Sequence, residues 1–499
     1  MDKRSSGILL HISSLPSNYG IGAFGKEAYK FVDFLVESGQ SFWQILPLGI
    51  TGFGDSPYQS VSAFAGNYYF IDLDKLVEEG FIKKEDLIGL DFKDSDDFVN
   101  YDKIYDTRLP LLRKAYKNKF SKVKKDVYKF VKLEKIWLED FALYMALKTK
   151  FNRKTWQEWD LAYRDRDEEA LEAFKIEHKE EVEFWYFVQY LFFKQWDELK
   201  NYANSSGVEF IGDLPIYVAE DSSDVWASPE LYKLNNMKKP IFVSGCPPDD
   251  FAITGQLWGN PIYDWKAMKK NGYKWWIERM DASSRLFDIV RIDHFRGFEA
   301  YWEIPSGDKT AENGEWVKGP GVELFDAIKK ALGSLRIIAE DLGYLTKEFH
   351  EFKDATGFPG MNLLQFAFDA RDENNYLPHA YIKNSVVYTG THDNNTTFGW
   401  FTNDAKDEEV EYAKEYLRLT EEEGYAFGFI RACFSSVSNL AIIPMQDYLE
   451  LDEKARFNIP STIGGNWIWR MKKDAITKKL TQKIYKLTKT YWRLNKNVK

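Results

Sequence analysis

Apolar residues fall along this chain in short unbroken runs, separated by stretches whose apolar positions recur at helical spacing. The runs lie at 8–12, 42–48, 208–215, 286–293, 335–343, 362–367, 385–396 and 439–447. Each is too short for a helix and bounded by Gly, Pro, Ser or Asp, so each reads as a buried strand. Helical spacing appears between them. Ala28, Phe31, Val32, Phe34 and Leu35 mark a helix over 26–38, and Trp275, Trp276 and Met280 mark one over 266–286. Further helices are expected at 408–417 and 425–436. Strand, helix and strand within about 40 residues form a parallel βαβ unit. Eight such strands alternating with helices predict a (β/α)8 TIM barrel. The runner-up is an open doubly wound sheet, but no Gly-x-Gly-x-x-Gly follows the first strand.

The pattern also divides the chain. Residues 1–74 hold the first two strands and a Gly-, Ser- and Tyr-rich loop (51–60, then 64–67) that reads as a binding loop. In 75–205 Lys, Glu and Asp become dense and Gly nearly vanishes. Helical patterns at 135–147 and 180–203 predict a mainly helical insertion, with the Phe and Trp stripe at 184–196 packing against neighbouring helices. Residues 206–499 supply the remaining strands. Within them, 244–261 carries Pro, Gly, Asp and aromatics and reads as a long loop over the carboxyl ends of the strands.

Composition narrows the partners. The 499 residues carry 67 Lys and Arg against 77 Asp and Glu, a net charge of -10. That opposes nucleic acid and anionic membrane surfaces as partners. The 17 Trp, 29 Tyr and 37 Phe suit flat apolar partners such as sugar rings, although most must fill the core. Two cysteines without a Cys-x-x-Cys suggest a reducing compartment. The first ten residues are too short in apolar length for a signal peptide, and no run approaches a membrane span, so the cytoplasm is expected.

Four predicted strands end in carboxylates: Asp213, Asp293, Glu340 and Asp393. In a barrel those ends converge on one face. Crowded carboxylates raise at least one pKa, leaving a protonated acid beside an ionised base or nucleophile. Glycoside cleavage requires that division. Arg291 stands two residues before Asp293, on the same strand face, where it orients the carboxylate. The alternative is an Asp–Arg pair that only fixes a loop. Clustered carboxylates also bind Mg2+ or Ca2+, though Arg291 competes with a cation for Asp293. No Gly-x-Ser-x-Gly and no His-Glu-x-x-His occur. Of six histidines, His294 and His392 adjoin strand-end aspartates, either to meet a sugar hydroxyl or to hold a loop.

The set Gly212-Asp213-Leu214-Pro215-Ile216-Tyr217-Val218, Arg291-Ile292-Asp293-His294-Phe295-Arg296-Gly297, Ile338-Ala339-Glu340-Asp341-Leu342-Gly343 and Thr391-His392-Asp393-Asn394 resembles the 4-α-glucanotransferases, or amylomaltases, relatives of the α-amylase superfamily. The likeness runs from Gly7-Ile8-Leu9 to Gly465-Asn466-Trp467, nearly the whole chain. It implies that Asp293 is the nucleophile, Glu340 the general acid/base and Asp393 the carboxylate holding sugar hydroxyls. It further implies that Asp213, Arg291, His294 and His392 contact the donor ring. Asp249, Phe251 and Trp258 would touch glucan beside the acceptor subsites, with Tyr58 and Asn466 at further subsites. Phe53 and Tyr101 are a guess for a remote glucan site. The implied reaction is retaining transfer of an α-1,4-glucan segment to the 4-hydroxyl of glucose or another α-1,4-glucan, with no cofactor and no metal. Carboxyl groups of Asp293 and Glu340 about 5–5.5 Å apart are expected for retention. An α-amylase-like hydrolase is the nearest alternative, and a catalytically idle glucan-binding barrel the one from another class.

Overall fold

The computed structural model describes residues 3–52, 54–248, 252–343, 345–369 and 375–496. Twelve strands are named in chain order: β1 (Ser5–Leu9), β2 (Phe42–Gln44), β3 (Glu209–Leu214), β4 (Phe242–Cys246), β5 (Gln256–Pro261), β6 (Ile289–Ile292), β7 (Ala300–Pro305), β8 (Glu315–Lys318), β9 (Ile337–Ala339), β10 (Gly360–Leu363), β11 (Ser385–Tyr388) and β12 (Leu440–Pro444).

Eight of these form one parallel sheet in the order β10-β11-β12-β1-β2-β3-β6-β9. The Ala339 N–H donates to the Pro359 carbonyl at 2.9 Å, so the edges after β9 and before β10 meet and the sheet closes. Each of the eight predicted apolar runs overlaps one of these strands, although the sixth shares only Asn362 and Leu363 with β10, because the chain turns into a short helical turn at Leu364–Phe366. The strand residues are buried on both faces, as a barrel wrapped by helices demands. Side chains such as Trp43, Trp196 and Ile443 are fully enclosed, each contributing about 1.5–3 kcal/mol. Gly212 in β3 is small for a packing reason: a Cβ there would lie 2.1 Å from the Phe287 ring.

Between β2 and β3 the chain is helical, including Tyr101–Leu133, Leu138–Lys150, Glu168–Glu177 and Lys179–Ser205. The last presents Phe184, Trp185, Phe187, Val188, Phe192 and Trp196 to the interior, so the aromatic stripe is packing, as expected. It also reaches the first binding loop. The Gln189 amide exchanges two hydrogen bonds with the Gly66 backbone (2.8 and 2.9 Å), which steadies the segment that carries Tyr58.

Two local expectations needed refinement. The predicted helix over 266–286 is two helices, Trp265–Lys270 and Lys274–Leu286, because Gly272 and Tyr273 take positive φ (71° and 60°). The 244–261 stretch is not all loop: 244–246 and 256–261 are strand. Its flanks are β4 and β5, which join β7 and β8 in an antiparallel sheet, order β5-β4-β7-β8. Among the described residues no helix is long and apolar enough to cross a membrane, and no disulfide joins Cys246 and Cys433.

Candidate active site

β3 and β6 are parallel neighbours with Asp213 beside Arg291 in register. Neighbouring residues in register project to the same face of a sheet, so both side chains enter the barrel mouth. One Arg291 nitrogen, Nη1, donates to both oxygens of Asp213 (2.7 and 2.6 Å) and to Asp293 Oδ1 (3.0 Å). The Arg291–Asp293 pairing expected from two-residue spacing is therefore present, and a third partner comes from the adjacent strand. Tyr58 donates to Asp213 Oδ2 at 2.8 Å and stacks on His392 with ring centres 5.0 Å apart.

The Asp213 side chain is 0% exposed, whereas Asp293 is 27% and Asp393 46% exposed. Asp213 thus holds Arg291 and Tyr58 behind the surface, while Asp293 and Asp393 face the opening. Asp213, Asp293 and His392 also bring one ligand atom each within 4.8 Å of one another. Arg291 Nη1 already stands against both aspartates, so a metal ion would have to displace a buried guanidinium.

Directly after Asp293 the chain turns sharply. His294 takes a left-handed conformation (φ 50°), costly for a non-glycine residue. The turn points the His294 N–H at Glu340 Oε2, 2.6 Å away, while the Leu342 N–H reaches Oε1 at 3.0 Å. Glu340 therefore has both oxygens oriented by backbone. The His294 ring meets Trp258 edge-on at 4.7 Å, and its Nε2 has no hydrogen-bond partner among the described residues. Burial, with help from Arg296, lowers His294 to about 4, so it is neutral near pH 7.

The loop after β11 carries His392 and Asp393. His392 Nε2 lies 3.3 Å from Asp393 Oδ2, and the Asn458 amide donates to Asp393 Oδ1 at 2.7 Å. Burial opposes charge on Asp393. The nearby His392 and the bonds from His392 and Asn458 outweigh it, holding this carboxyl well below the usual range. Burial likewise opposes charge on His392, and Asp393 overcomes it, raising that imidazole.

Proton affinities across the mouth are thereby separated. Burial pushes Glu340 up to about 8, the Asp293 charge adds to it, and Arg291 and the two N–H donors only partly offset them. Burial also raises Asp293, to about 6, against the pull of Arg291. Near neutral pH Glu340 keeps its proton, while Asp293 and Asp393 are anions.

Other expected contacts are placed less centrally. Trp258 bonds Gln256 Oε1 through its indole N–H (3.1 Å) and lies beside His294 and Tyr217. The Asn466 amide is engaged within its own loop, accepting from the Ile459 N–H and donating to Thr462. Tyr101 donates to the Trp467 carbonyl at 2.8 Å. Asp249, Phe251 and Phe53 lie outside the described residues. Two residues at the site were not foreseen: Asn458, and Arg456, which donates to the Asp393 carbonyl at 2.6 Å. Nothing in their local sequence marks them, since their partner is more than 60 residues away.

A closed parallel barrel whose strand ends gather carboxylates of opposed protonation is the build of a glycosyl-transferring or glycosyl-cleaving barrel enzyme. Comparison with known proteins narrows this. The family model described as 4-alpha-glucanotransferase matches residues 10–477, and the chain belongs to that family. A 4-alpha-glucanotransferase from Clostridium butyricum is 54% identical over 485 residues, covering 97% of this chain and 100% of the relative. One from Streptococcus pneumoniae is 55% identical over 500 residues, covering 100% and 99%. The solved amylomaltase from Streptococcus agalactiae in complex with acarbose superposes with a TM-score of 0.96 at 46% identity, covering 98% of this chain and 100% of that one. The family and fold expected from the strand-end motifs hold.

Proposed function

We propose that this 4-α-glucanotransferase works by retaining double displacement, with Asp293 as nucleophile and Glu340 as acid and base. Asp293 attacks the anomeric carbon of an α-1,4-glucan while protonated Glu340 gives its proton to the departing 4-oxygen. A covalent glycosyl–Asp293 ester forms. Glu340, now ionised, takes the proton from the 4-hydroxyl of glucose or a second α-1,4-glucan, which displaces Asp293 and receives the segment. Asp393 accepts hydrogen bonds from hydroxyls of the donor ring, with His392 and neutral His294 beside it. Asp213 acts through Arg291 and Tyr58. Trp258 borders the acceptor, and Asn466 fixes its own loop.

The observation that carries this reading is the different setting of the two carboxylates: Asp293 lies 3.0 Å from the Arg291 guanidinium, whereas Glu340 is met by two backbone N–H groups and burial raises its affinity for a proton. An acid that holds its proton near neutrality beside an ionised nucleophile is what the first step needs. That the related Streptococcus agalactiae amylomaltase binds acarbose supports a glucan-shaped cleft here. We place the reaction in the cytoplasm, acting on maltooligosaccharides and on the outer chains of glycogen or starch.

Product analysis with maltotriose tests the reaction. Glucose together with a ladder of longer oligosaccharides is expected. Shortened products alone would replace transfer by hydrolysis, and no products would leave a glucan-binding barrel. The pH dependence tests the pair. Asp293 must be deprotonated, so kcat/KM rises as pH climbs through about 6. Glu340 must be protonated, so kcat/KM falls as pH passes about 8. A bell with those two limbs is expected. A profile flat across both would deny the assigned roles.

A further inference from the structure

The eighth barrel strand also ends in a carboxylate, and no step above uses it. Asp447 follows β12 in the single turn Met445–Tyr448 and is 1% exposed. Its Oδ1 accepts the Thr397 N–H at 2.7 Å. Its Oδ2 accepts the hydroxyls of Thr397 (2.8 Å) and Thr389 (2.5 Å). Both threonines are fully buried. They stand at the two ends of the loop that leaves β11 and carries His392 and Asp393.

Among the described residues Asp447 forms no ion pair; burial raises its pKa, and the bonds from the two threonines only partly offset that. A buried carboxylate met only by neutral donors is expensive, yet one group here ties both ends of the loop with three bonds. The crown of the loop is fixed separately. Asn394 Oδ1 accepts from the Thr391 N–H and hydroxyl (2.8 and 2.9 Å), Gln365 donates to the Asn395 carbonyl (3.0 Å), and Arg456 donates to the Asp393 carbonyl (2.6 Å). Among the described residues, Asp447 alone bonds both Thr389 and Thr397 through its side chain. A shift at either threonine would carry His392 and Asp393 with it.

We propose that Asp447 is a positioning residue for glucan transfer: it clamps both ends of the 389–397 loop and so sets where His392 and Asp393 meet the donor sugar. This rests on the role proposed above for Asp393. Displacing a binding group by about 1 Å can cost on the order of 10²-fold in rate.

The test compares Asp447→Ala, Asp447→Asn and Thr389→Val with the wild type in the full chain. It measures kcat and KM on maltotriose, acarbose affinity by calorimetry, and thermal stability. Asp447→Ala should lower kcat on the order of 10²-fold and weaken acarbose on the order of 10-fold. Asp447→Asn should recover most of that loss. Its amide oxygen can accept the Thr397 N–H, and its amide nitrogen can donate to reoriented threonine hydroxyls. Thr389→Val frees one end of the loop while keeping volume, and should reproduce part of the loss even if Asp447→Ala fails to fold. Wild-type kcat, KM and acarbose affinity in a folded Asp447→Ala protein would overturn the proposal. So would the same result in Thr389→Val if the alanine variant does not fold. Failure of the underlying reading looks different: Asp393→Asn with wild-type turnover would remove the role of Asp393 itself.

Discussion

Asp293→Asn is expected to lower kcat for maltotriose disproportionation on the order of 10⁴-fold or more, the scale on which loss of a covalent nucleophile acts, while the melting temperature stays level or rises. The asparagine is isosteric, and its carbonyl oxygen can keep the bond from Arg291 Nη1 that Asp293 Oδ1 now accepts. Arg291 also retains both oxygens of Asp213, so no guanidinium is left stranded. The stability sign follows from the raised affinity of Asp293 for its proton. Its carboxyl moves from 3.8 to about 6 in the folded chain. The native state therefore binds that proton more tightly than the unfolded state does. Stability from this group is lost as pH rises through that window, and at pH 7 the anion opposes folding. Removing it relieves the crowding with Asp213 and Asp393. A charged residue whose loss stabilises the fold while abolishing turnover is the signature of a functional carboxylate. Turnover within tenfold of wild type would end the assignment of Asp293, and a collapse in melting temperature would mean that it holds the barrel mouth together.

The barrel was legible because parallel strands buried on both faces leave unbroken apolar runs, and each of the eight runs overlaps a barrel strand. The site was legible in the same places. A carboxylate just past such a run can only lie at the carboxyl end of the barrel, which is why Asp293, Glu340 and Asp393 could be grouped before any distance was known. What stayed hidden depends on partners far apart in sequence. The Asp213–Arg291 contact comes from the register of β3 against β6, which neither strand encodes alone. Asn458 and Arg456 matter because of Asp393, and Asp447 because of Thr389 and Thr397. The antiparallel sheet of β4, β5, β7 and β8 was hidden for another reason. Its strands are partly exposed and punctuated by Gly and Pro, so they lack the buried run that betrays a barrel strand. The left-handed turn at His294, which aims a backbone N–H at Glu340, has no signal in a residue that is not glycine.

Glu340→Gln is expected to separate the two halves of the reaction. On maltotriose kcat should fall on the order of 10²–10⁴-fold, since the 4-oxygen of a sugar leaves poorly without a proton and general acid catalysis accounts for about that much. With an α-maltosyl fluoride donor the first step should persist, because fluoride departs without protonation. Asp293 would still attack, but no base would remain to activate an acceptor hydroxyl. The glycosyl enzyme should then accumulate, seen by mass spectrometry as one maltosyl unit on the peptide containing Asp293. Azide needs no base, so adding it should restore turnover and yield α-maltosyl azide, the retained anomer. The variant also has a local cost. Glu340 accepts the His294 N–H on one oxygen and the Leu342 N–H on the other, and a glutamine can accept only at one. The stranded N–H should cost about 1–3 kcal/mol, which predicts a lower melting temperature than in Asp293→Asn. Equal slowing with maltotriose and with the fluoride, or turnover indifferent to azide, would remove Glu340 as acid and base. A β-azide product would instead keep both carboxylates and overturn the retaining course, because inversion in a single displacement needs no ester on Asp293.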